Sequence, residues 1–360
     1  MRYEERLKRF QAWLGSQGDA YDAVLISNAS NIRYLSGFTG TFAYLVISPS
    51  KAFILTDSRY TIQARQQSHH FNLVKLERFT PPMSIAKLCE TEGWAVLGFE
   101  AKDLTFDFYD RLKSCFGRAN LIPLEGSVEK LRAVKDEDEI ALLRQAEAIG
   151  DKAFEHVLNI IRPGMSEKEV AFELEFAMRK EGASGLSFDT IVASGVRSAM
   201  PHGVATDKKI EAGDLVVMDY GCIYQGYCSD MTRTIGVGHL TDAQKDLYQL
   251  VKRAQESALK MAKAGVVGEK MQDHVQAIFD KAGFGSYFGH GLGHSVGLDI
   301  HEEPRFSRNV KEQIPAGTVI SVEPGLYVPG IGGVRIEDLV VLTENGVDNL
   351  AHSPKELLIV

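Results

Sequence analysis

Five side chains in the C-terminal half of the chain are of the types that bind divalent metal ions: Asp219, Asp230, His294, Glu323 and Glu337. The first two flank a stretch that reads as two short strands, Leu215–Met218 and Met231–Ile235. Gln225-Gly226 is suited to the turn between them. Such a hairpin brings Asp219 and Asp230 roughly across from each other, where they repel and where burial is unfavourable. We therefore expect a positive charge between them, with two solvated aspartates beside a turn as the simpler alternative.

The other three residues lie beside glycines or inside strand-like runs. Their surroundings are Phe288-Gly-His-Gly-Leu-Gly-His294, Ser321-Val-Glu-Pro-Gly325 and Gly333-Val-Arg-Ile-Glu-Asp338. Four carboxylates and one imidazole form an oxygen-rich ligand set, which suits a pair of divalent ions such as Mn²⁺, Co²⁺ or Zn²⁺. The set lacks the thiolates of a structural zinc site.

The two parts of the C-terminal region resemble each other, which indicates an internal repeat. Residues 212–221 align with residues 316–325, so that Asp219 corresponds to Glu323. Two further pairs of segments correspond: residues 226–230 with 333–337, and Glu167-Lys168 after Gly164 with Glu269-Lys270 after Gly265. Each part is then predicted to fold as helices followed by strands and to contribute two carboxylates around a pseudo-two-fold axis. A chance alignment is the alternative.

Such a ligand set has a definite chemistry. Two divalent ions bridged by carboxylates can lower the pKa of a shared water, polarise a carbonyl and anchor an amine, and a carboxylate can take the nucleophile's proton. His202, His290 and His301 could hold the substrate or stabilise an oxyanion, although a single histidine is more often a surface or packed residue. Arg335 is two residues before Glu337 and points to the same face of a strand. It could orient a ligand carboxylate or bind an anionic substrate terminus.

Composition narrows the function classes. The chain has 360 residues, enough for two domains, and a net charge of −8, which argues against nucleic acid or an anionic membrane as the main partner. Its cysteines, Cys89, Cys115, Cys222 and Cys228, have neither a disulfide pattern nor metal-site spacing. We see no signal peptide and no apolar run of the ~20 residues that span a bilayer. These features predict a cytoplasmic protein.

The first part of the chain alternates between helix and strand patterns, as an α/β domain does. Helices are predicted over residues 2–17 and near 58–67, 83–92 and 105–116, and strands at Ala23–Ile26, Phe42–Ile47, Phe53–Thr56, Leu73–Leu76 and Ala95–Phe99. Asn31–Gly40 interrupts this pattern and is expected to be a structural turn or part of a substrate cleft. A capping-box-like start at Asp136 opens a long helix. We place the domains at residues 1–128 and 129–360.

The motifs resemble those of the pita-bread metallopeptidases, and most closely the Xaa-Pro peptidases, aminopeptidase P and prolidase. The resemblance is carried by Pro201-His-Gly203, Asp219, Asp230-Met-Thr-Arg233, Gly289-His-Gly-Leu-Gly-His294, His301-Glu302, Glu323-Pro-Gly325 and Arg335-Ile-Glu337. It covers nearly the whole chain, because Asn31–Gly40 and Thr56–Tyr60 are similar to that family's N-terminal domain. It implies an α/β (α+β) protein, with a smaller creatinase/prolidase-type domain before a C-terminal pita-bread domain that contains a pseudo-two-fold repeat.

The resemblance also implies roles for the candidate residues. Asp219 and Asp230 hold one ion, and Asp230, His294, Glu323 and Glu337 hold the other, with Asp230 and Glu337 bridging. Glu323 matches the general base, and His202 and His301 are the other catalytic candidates. The substrate and oxyanion residues are matched by His202, His290, His301, Tyr327 and Arg335. Two Mn²⁺ ions per subunit are expected, with Co²⁺ or Zn²⁺ as alternatives, in a homodimer whose N-terminal domains each lie near the partner's cleft.

The predicted activity is hydrolysis of the bond between an N-terminal residue and a following proline in short peptides. A methionine aminopeptidase is one alternative, but such enzymes lack a domain like residues 1–125. A broader aminopeptidase is another, and a creatinase-like enzyme would lack the complete metal set. A non-enzymatic pita-bread binding protein is the alternative from a different class. Whether the enzyme is a dipeptidase or an aminopeptidase, and which metal is native, remain open at this point.

Overall fold

The structure, a computed structural model, describes residues 2–76, 80–117 and 120–360. The chain divides into two compact units, residues 1–132 and 133–360, so the division falls shortly after the predicted boundary at residue 128. Both units combine helices and strands, which confirms the predicted α/β class. Within the described residues, no helix is both long and apolar enough to cross a lipid bilayer.

The first unit is built on a mixed sheet whose described strands have the order β4-β3-β2-β1-β5-β6. Their bounds are β1 (Ala23–Ile26), β2 (Tyr44–Ile47), β3 (Ala52–Thr56), β4 (Asn72–Lys75), β5 (Val96–Glu100) and β6 (Asn120–Leu124). β1 and β3 are buried at every position, as strands covered on both faces of a sheet are. The five predicted strands are confirmed, and β6 is an addition to them.

The described residues of this unit also form helices. They are α1 (Tyr3–Ser16), α2 (Ala29–Ser36), α3 (Thr61–Gln67), α4 (Pro81–Glu92), α5 (Phe106–Phe116) and α6 (Glu129–Arg132). Four of them were predicted, but the expectation of a turn at Asn31–Gly40 is wrong, because most of that segment belongs to α2. The Asn28 side chain caps this helix by accepting the Asn31 N–H, and Gly37 ends it with a φ of 76°.

The polar character of α2 has a structural cause inside the first unit. Asn31 is fully buried, and its Nδ2 donates to Glu100 Oε1 at 2.5 Å and to Glu129 Oε1 at 2.7 Å. Its Oδ1 accepts from Arg132 Nη1 at 2.8 Å. The buried amide therefore connects α2 to β5 and α6. This structural role explains the presence of Asn31, and no bound ligand is needed to account for it.

The second unit contains long helices and several small sheets. The helices are α7 (Glu137–Leu158), α8 (Glu167–Lys180), α9 (Asp242–Met261) and α10 (Gly268–Lys281). The strands of its first half are β7 (Gly185–Leu186), β8 (Ile191–Ser194), β9 (Leu215–Tyr220), β10 (Cys222–Tyr224), β11 (Tyr227–Cys228) and β12 (Met231–Gly236). Those of its second half are β13 (Gly293–Ser295), β14 (Glu302–Phe306), β15 (Val319–Val322), β16 (Gly325–Val328), β17 (Gly332–Arg335), β18 (Asp338–Thr343) and β19 (Gly346–Asn349). The predicted capping box at Asp136 and Glu139 is present at the start of α7.

The predicted repeat is visible in the order of these elements. Helices α7 and α8 precede the sheet β12-β9-β8, and α9 and α10 precede a sheet containing β18-β15-β13. Each helix pair packs on its own sheet through a separate apolar core. Asp219 is the last residue but one of β9, and Glu323 directly follows β15, so the two aligned carboxylates lie near the ends of equivalent strands.

One detail of the sequence alignment needs correction. Gly164 N–H donates to the Ile210 carbonyl, and Gly265 N–H donates to the Ile314 carbonyl, which makes these two glycines equivalent. The first helical residue three positions later is Glu167 in α8 and Gly268 in α10. Glu167 therefore corresponds to Gly268 and not to Glu269, as the sequence pairing had it.

Candidate metal centre

The hairpin that carries the first two carboxylates forms as expected, with an interruption. Thr232 pairs with Asp219 and Met231 with Tyr220 across β9 and β12. Because side chains alternate along a strand, Asp230 shares the face of Thr232 and Asp219. Beyond Gly221, β10 and β11 continue to the predicted turn, where Gln225 has a φ of 46° and Gly226 a φ of 86°. Two consecutive positive φ angles are typical of a tight two-residue hairpin turn.

A third carboxylate joins this pair from the second half of the unit. Ligand oxygens of Asp219, Asp230 and Glu337 all lie within 4.8 Å of one another. Glu337 directly precedes β18, and its Oε2 accepts from Thr232 Oγ1 at 2.7 Å. Among the described residues, its Oε1 and Asp219 Oδ1 are buried without a hydrogen-bond partner. Buried carboxylate oxygens in this state are strongly destabilising unless a cation neutralises them.

The remaining two candidates adjoin the cluster. His294 in β13 places its Nε2 3.5 Å from Asp230 Oδ2 and 3.4 Å from Glu323 Oε1. Its Nδ1 lies 3.2 Å from the Ser295 carbonyl oxygen, so the N–H belongs on Nδ1 and Nε2 is left as the free donor atom for a metal. Ser321 Oγ donates to Glu323 Oε1 at 3.1 Å. All five sequence-predicted ligands therefore converge.

The protein surroundings of these side chains favour their uncharged forms. Burial, reinforced by the neighbouring carboxylates, raises the pKa values of Asp230 and Glu337 well above the ordinary range. Burial also raises the pKa of Glu323 to about 7 and lowers that of His294 to about 4. Divalent cations would reverse the effect on the carboxylates by supplying the missing positive charge, and four carboxylates with one imidazole suit such ions. The residues present therefore fit a site for divalent metal ions.

Arg335 supplies a positive charge at one edge of the cluster. Its Nη2 donates to Asp219 Oδ2. Its Nη1 donates to Tyr327 Oη at 2.6 Å and to the Pro201 carbonyl at 3.1 Å. Its Nε donates to Thr232 Oγ1 at 3.0 Å. Arg335 thus contacts a candidate ligand directly, and it leaves the other oxygen of Asp219 free for an ion.

The three accessory histidines meet at the same place. A cavity of about 650 Å³ is lined by all five candidate ligands together with His202, His290 and His301. His290 Nε2 lies 3.1 Å from Tyr327 Oη, and burial, reinforced by Arg335, lowers the pKa of His290 to about 4. The His301 ring lies edge-on to that of His294, with 4.5 Å between centroids, and burial lowers its pKa too. Both imidazoles are therefore neutral at physiological pH.

Several residues of the site were not identified from the sequence. Arg305 in β14 lines the cavity, and its Nε lies 3.0 Å from Glu303 Oε1. Glu147 of α7 is fully buried, and its Oε1 accepts the backbone N–H of Asp230 at 2.7 Å, which holds the backbone of a candidate ligand in place. A glutamate in a charged helix gives no sequence signal of this kind, whereas Arg305 could have been found by its position four residues after His301.

Comparison with known proteins agrees with this geometry. Residues 141–344 match the model of metallopeptidase family M24, and residues 6–134 match the creatinase/prolidase N-terminal domain. A Xaa-Pro dipeptidase of Pyrococcus horikoshii is 39% identical over 94% of this chain and 95% of its own length. The structure of a Xaa-Pro dipeptidase from Bacillus anthracis is 43% identical and superposes with a TM-score of 0.96, covering 100% of both chains. An X-Pro aminopeptidase from Thermotoga maritima is 40% identical with a TM-score of 0.91, over 98% of this chain and 100% of that one.

The fold and the acidic centre define a two-domain metalloenzyme with a creatinase-type N-terminal domain and a pita-bread catalytic domain, as the sequence predicted. The chain belongs to metallopeptidase family M24. It is therefore an enzyme that uses divalent metal ions, and the family predicted from the motifs is confirmed.

Proposed function

We propose that this peptidase hydrolyses the bond between an N-terminal residue and a following proline, with two divalent ions in its active site. The observation that carries the proposal is the convergence of Asp219, Asp230 and Glu337 within 4.8 Å, next to His294 and Glu323. In this proposal Asp219 and Asp230 hold one ion, His294 and Glu323 hold the other, and Asp230 and Glu337 bridge. Mn²⁺ is the proposed ion, and Co²⁺ or Zn²⁺ would suit the same ligands.

When bound, the two ions lower the pKa of a water molecule and polarise the scissile carbonyl. Glu323 is the proposed general base, at the edge of the cluster where its carboxylate faces the cavity. It takes the proton of the attacking water and delivers it to the proline nitrogen as the carbon–nitrogen bond breaks. The products are a free N-terminal amino acid and a chain that begins with proline.

Histidines supply the neutral hydrogen-bond donors of the reaction. His202 and His301 both line the cavity, and we assign them to the substrate carbonyl and to the oxyanion that develops from it. His290 contacts Tyr327, which in turn accepts from Arg335. This series of hydrogen bonds orients Asp219 and forms a polar wall against which the substrate lies.

Proline selectivity follows from the chemistry of the bond. The amide before proline has no N–H and exists in cis and trans forms. A peptidase that positions its substrate through that N–H fails on such a bond, whereas the arrangement proposed here needs only the carbonyl, the free amine and a site for the ring. Phe188, Ile191 and Ile300 line the same cavity and offer an apolar surface for the ring.

The length of the substrate depends on what lies beyond the proline. Arg305 lines the cavity and forms an ion pair with the exposed Glu303. A guanidinium in this position suits the free carboxylate of a dipeptide. We therefore favour a dipeptidase, a name that the Pyrococcus and Bacillus relatives carry, over an aminopeptidase, the name of the Thermotoga relative.

The decisive experiment is hydrolysis of Ala-Pro and Ala-Ala by chelated protein before and after Mn²⁺ is added back. We expect activity only with metal and a clear preference for Ala-Pro. Equal rates on both peptides would indicate a broader aminopeptidase, and no activity with full metal occupancy would favour a binding protein. Comparison of Ala-Pro with Ala-Pro-Ala then separates the two length classes.

A homodimer is proposed for the quaternary structure, on the strength of the sequence resemblance, and light scattering of the purified chain tests it. The cytoplasm is the proposed location. The support is that Cys89, Cys222 and Cys228 are buried free thiols, with pKa values raised to about 12 by burial. They are packing residues without a role in the reaction.

A further inference from the structure

We propose that Glu167 is a positioning residue for His202, and that it acts by holding together both ends of the loop that carries this histidine. The inference rests on the proposed function, in which His202 contacts the substrate. Glu167 is the first residue of α8, and its side chain is 0% exposed. It is not among the residues that line the cavity, so any effect on the reaction must pass through other residues.

The carboxylate of Glu167 accepts hydrogen bonds from the start and the end of that loop. Oε1 accepts from the Ser194 backbone N–H at 2.8 Å and from Ser194 Oγ at 3.0 Å. Oε2 accepts from the Thr206 backbone N–H at 3.0 Å and from Thr206 Oγ1 at 2.7 Å. Ser194 ends β8 and Thr206 lies beyond His202, so one buried side chain closes the loop like a clasp.

Arg197 extends this clasp into the loop. Its Nε lies 3.2 Å from Glu167 Oε1 and 3.0 Å from Oε2, and its Nη2 donates to the Val204 carbonyl at 2.7 Å. Val204 is two residues after His202, and its own N–H donates to the His202 carbonyl at 2.9 Å. A continuous path of hydrogen bonds therefore joins Glu167 to the backbone of His202. Hydrogen bonds to a buried, charged acceptor are stronger than neutral ones.

The loop has little apolar burial to hold it. Its large apolar side chains, Val196, Met200 and Val204, are 76%, 52% and 56% exposed. On the side of the cavity, Arg335 Nη1 contacts the Pro201 carbonyl, and the Gly333 N–H donates to Ser198 Oγ at 2.8 Å. Polar contacts therefore fix this loop, and Glu167 provides the set that ties its two ends.

The consequence is specific for catalysis. Glu167→Gln keeps the shape of the side chain but removes the charge that Arg197 and the two backbone N–H groups require, and it places an amide NH₂ where a donor is disfavoured. The loop then samples positions in which His202 is displaced. A displacement of about 1 Å can lower the rate by up to about 10²-fold. The metal ligands are on other strands, so metal binding is unaffected.

The test is a double-mutant cycle on the Mn²⁺-loaded enzyme with Ala-Pro as substrate. We expect Glu167→Gln to lower kcat by about 10- to 100-fold at unchanged metal content. In the His202→Ala background the same change should alter kcat by less than about twofold, because the two residues act as one unit. Glu169→Gln is the matched control on the same helix. Glu169 is exposed and pairs with Ser166 and Lys209, and its substitution should leave kcat unchanged.

A second readout does not depend on activity. Hydrogen exchange of residues 194–206 in chelated protein should be faster in Glu167→Gln than in the wild type or in Glu169→Gln. If Glu167→Gln fails to fold, Arg197→Gln replaces it in both measurements with the same expectations. Equal losses of kcat with and without His202, or unchanged exchange of the loop, would overturn the proposal. A wild-type enzyme inactive on Ala-Pro would instead overturn the proposed function and leave the exchange result as the test of the clasp. A fully active His202→Ala would overturn the role of His202, and with it the proposal that Glu167 acts through this histidine.

Discussion

The two halves of the catalytic unit have the same order of helices and strands but hold their histidine-bearing loops differently. In the first half, the loop between β8 and β9 is tied by the Glu167 carboxylate. In the second half, Gly268 occupies the equivalent position, and the loop between β13 and β15 includes a strand of its own, β14, that pairs with β13. A Cβ on Gly268 would lie 2.2 Å from the Arg305 carbonyl oxygen, so the absence of a side chain is what lets β14 pack there.

The halves also differ in the ligands that they supply. Ser194 pairs with Val216, and Ser295 pairs with Ile320, the residue equivalent to Val216. The residues one position earlier, Ala193 and His294, are therefore equivalent as well. One half contributes carboxylates alone, and the other adds an imidazole. In the proposed metal centre the two halves would therefore supply unequal ligand sets, because only the carboxylates follow the symmetry.

The largest expected effect comes from Asp230, the residue proposed to bridge the two ions. Asp230→Asn should lose both ions, and its activity should fall by more than the about 10²–10³-fold that loss of a single transition-state hydrogen bond causes. Asp219→Asn should lose one ion only, because Asp219 serves only one of the proposed positions. Metal content by elemental analysis and Ala-Pro hydrolysis measure both variants. Asp189→Asn, in the wall of the same cavity, is the control, and full metal occupancy in Asp230→Asn would contradict the bridging role.

The accessory histidines test the chemistry without disturbing the metals. His301→Ala should lower turnover by about 10²–10³-fold with both ions retained, because it removes a donor to the developing oxyanion in a partly dry site. Steady-state kinetics and metal analysis of the same samples decide the outcome. His352→Ala is the matched control, since that exposed histidine lies in the same unit but outside the cavity lining. Loss of metal, or wild-type turnover, in His301→Ala would show that the role is misassigned.

Gly268 offers a smaller effect that concerns stability. Gly268→Ala should destabilise the protein by about 1–3 kcal/mol, as overpacking in a dense interior does, because the added methyl meets a backbone carbonyl that cannot move aside. Urea unfolding of the metal-free protein measures it. Gly289→Ala is the control, because a Cβ at that glycine meets no atom within 4 Å. Equal stability of the two variants would mean that β14 can shift and that the contrast between the halves is not fixed by this glycine.

Much of the candidate metal site was predictable because it depends on local sequence patterns. Asp219 and Asp230 flank a hairpin with a recognisable turn, and the second half repeats the carboxylates at strand ends. The sequence alignment was wrong at Glu167, because it paired this residue with another glutamate, Glu269. The backbone hydrogen bonds show that Glu167 corresponds to Gly268 instead. Glu147 and Glu167 were not predicted as site residues, because a buried glutamate in a helix has the same sequence signal as an exposed one until its tertiary contacts are known.

α2 and β6 were missed for a related reason. α2 is short and rich in polar residues, and its Asn31 is buried by contacts with residues about 70 and 100 positions later in the chain. No window of local sequence contains such partners. The candidate site residues that lie in a recognisable local pattern could therefore be predicted from the sequence. The residues that support them could be identified only from their tertiary contacts.

The smallest effect concerns the pH dependence of stability in the metal-free protein. Burial raises the pKa of Glu147 to about 8 and that of Glu323 to about 7, and it raises those of Asp230 and Glu337 well above their ordinary range. A carboxyl whose folded-state pKa is raised contributes stability at low pH that is lost as the pH rises through the folded value. The lowered pKa values of His290 and His294 act in the opposite sense, but only below the unfolded value of about 6.5. Above that pH these carboxyls set the trend together with Glu100, whose pKa burial raises to about 7.

We therefore expect the chelated protein to lose stability between about pH 6.5 and 8, by about 1.4 kcal/mol per pH unit for each proton that the folded state retains. The Mn²⁺-loaded enzyme should lose less, because the cations replace the protons as the neutralising charge. Glu147→Gln should reduce the slope of the chelated protein, since it removes one of the titrating carboxyls, whereas Glu155→Gln, exposed on the same helix, should leave it unchanged. Urea unfolding at a series of pH values measures all four samples. A chelated protein whose stability rises over this interval would show that protons do not substitute for metal in the cluster, and that its carboxylates are neutralised by Arg335 instead.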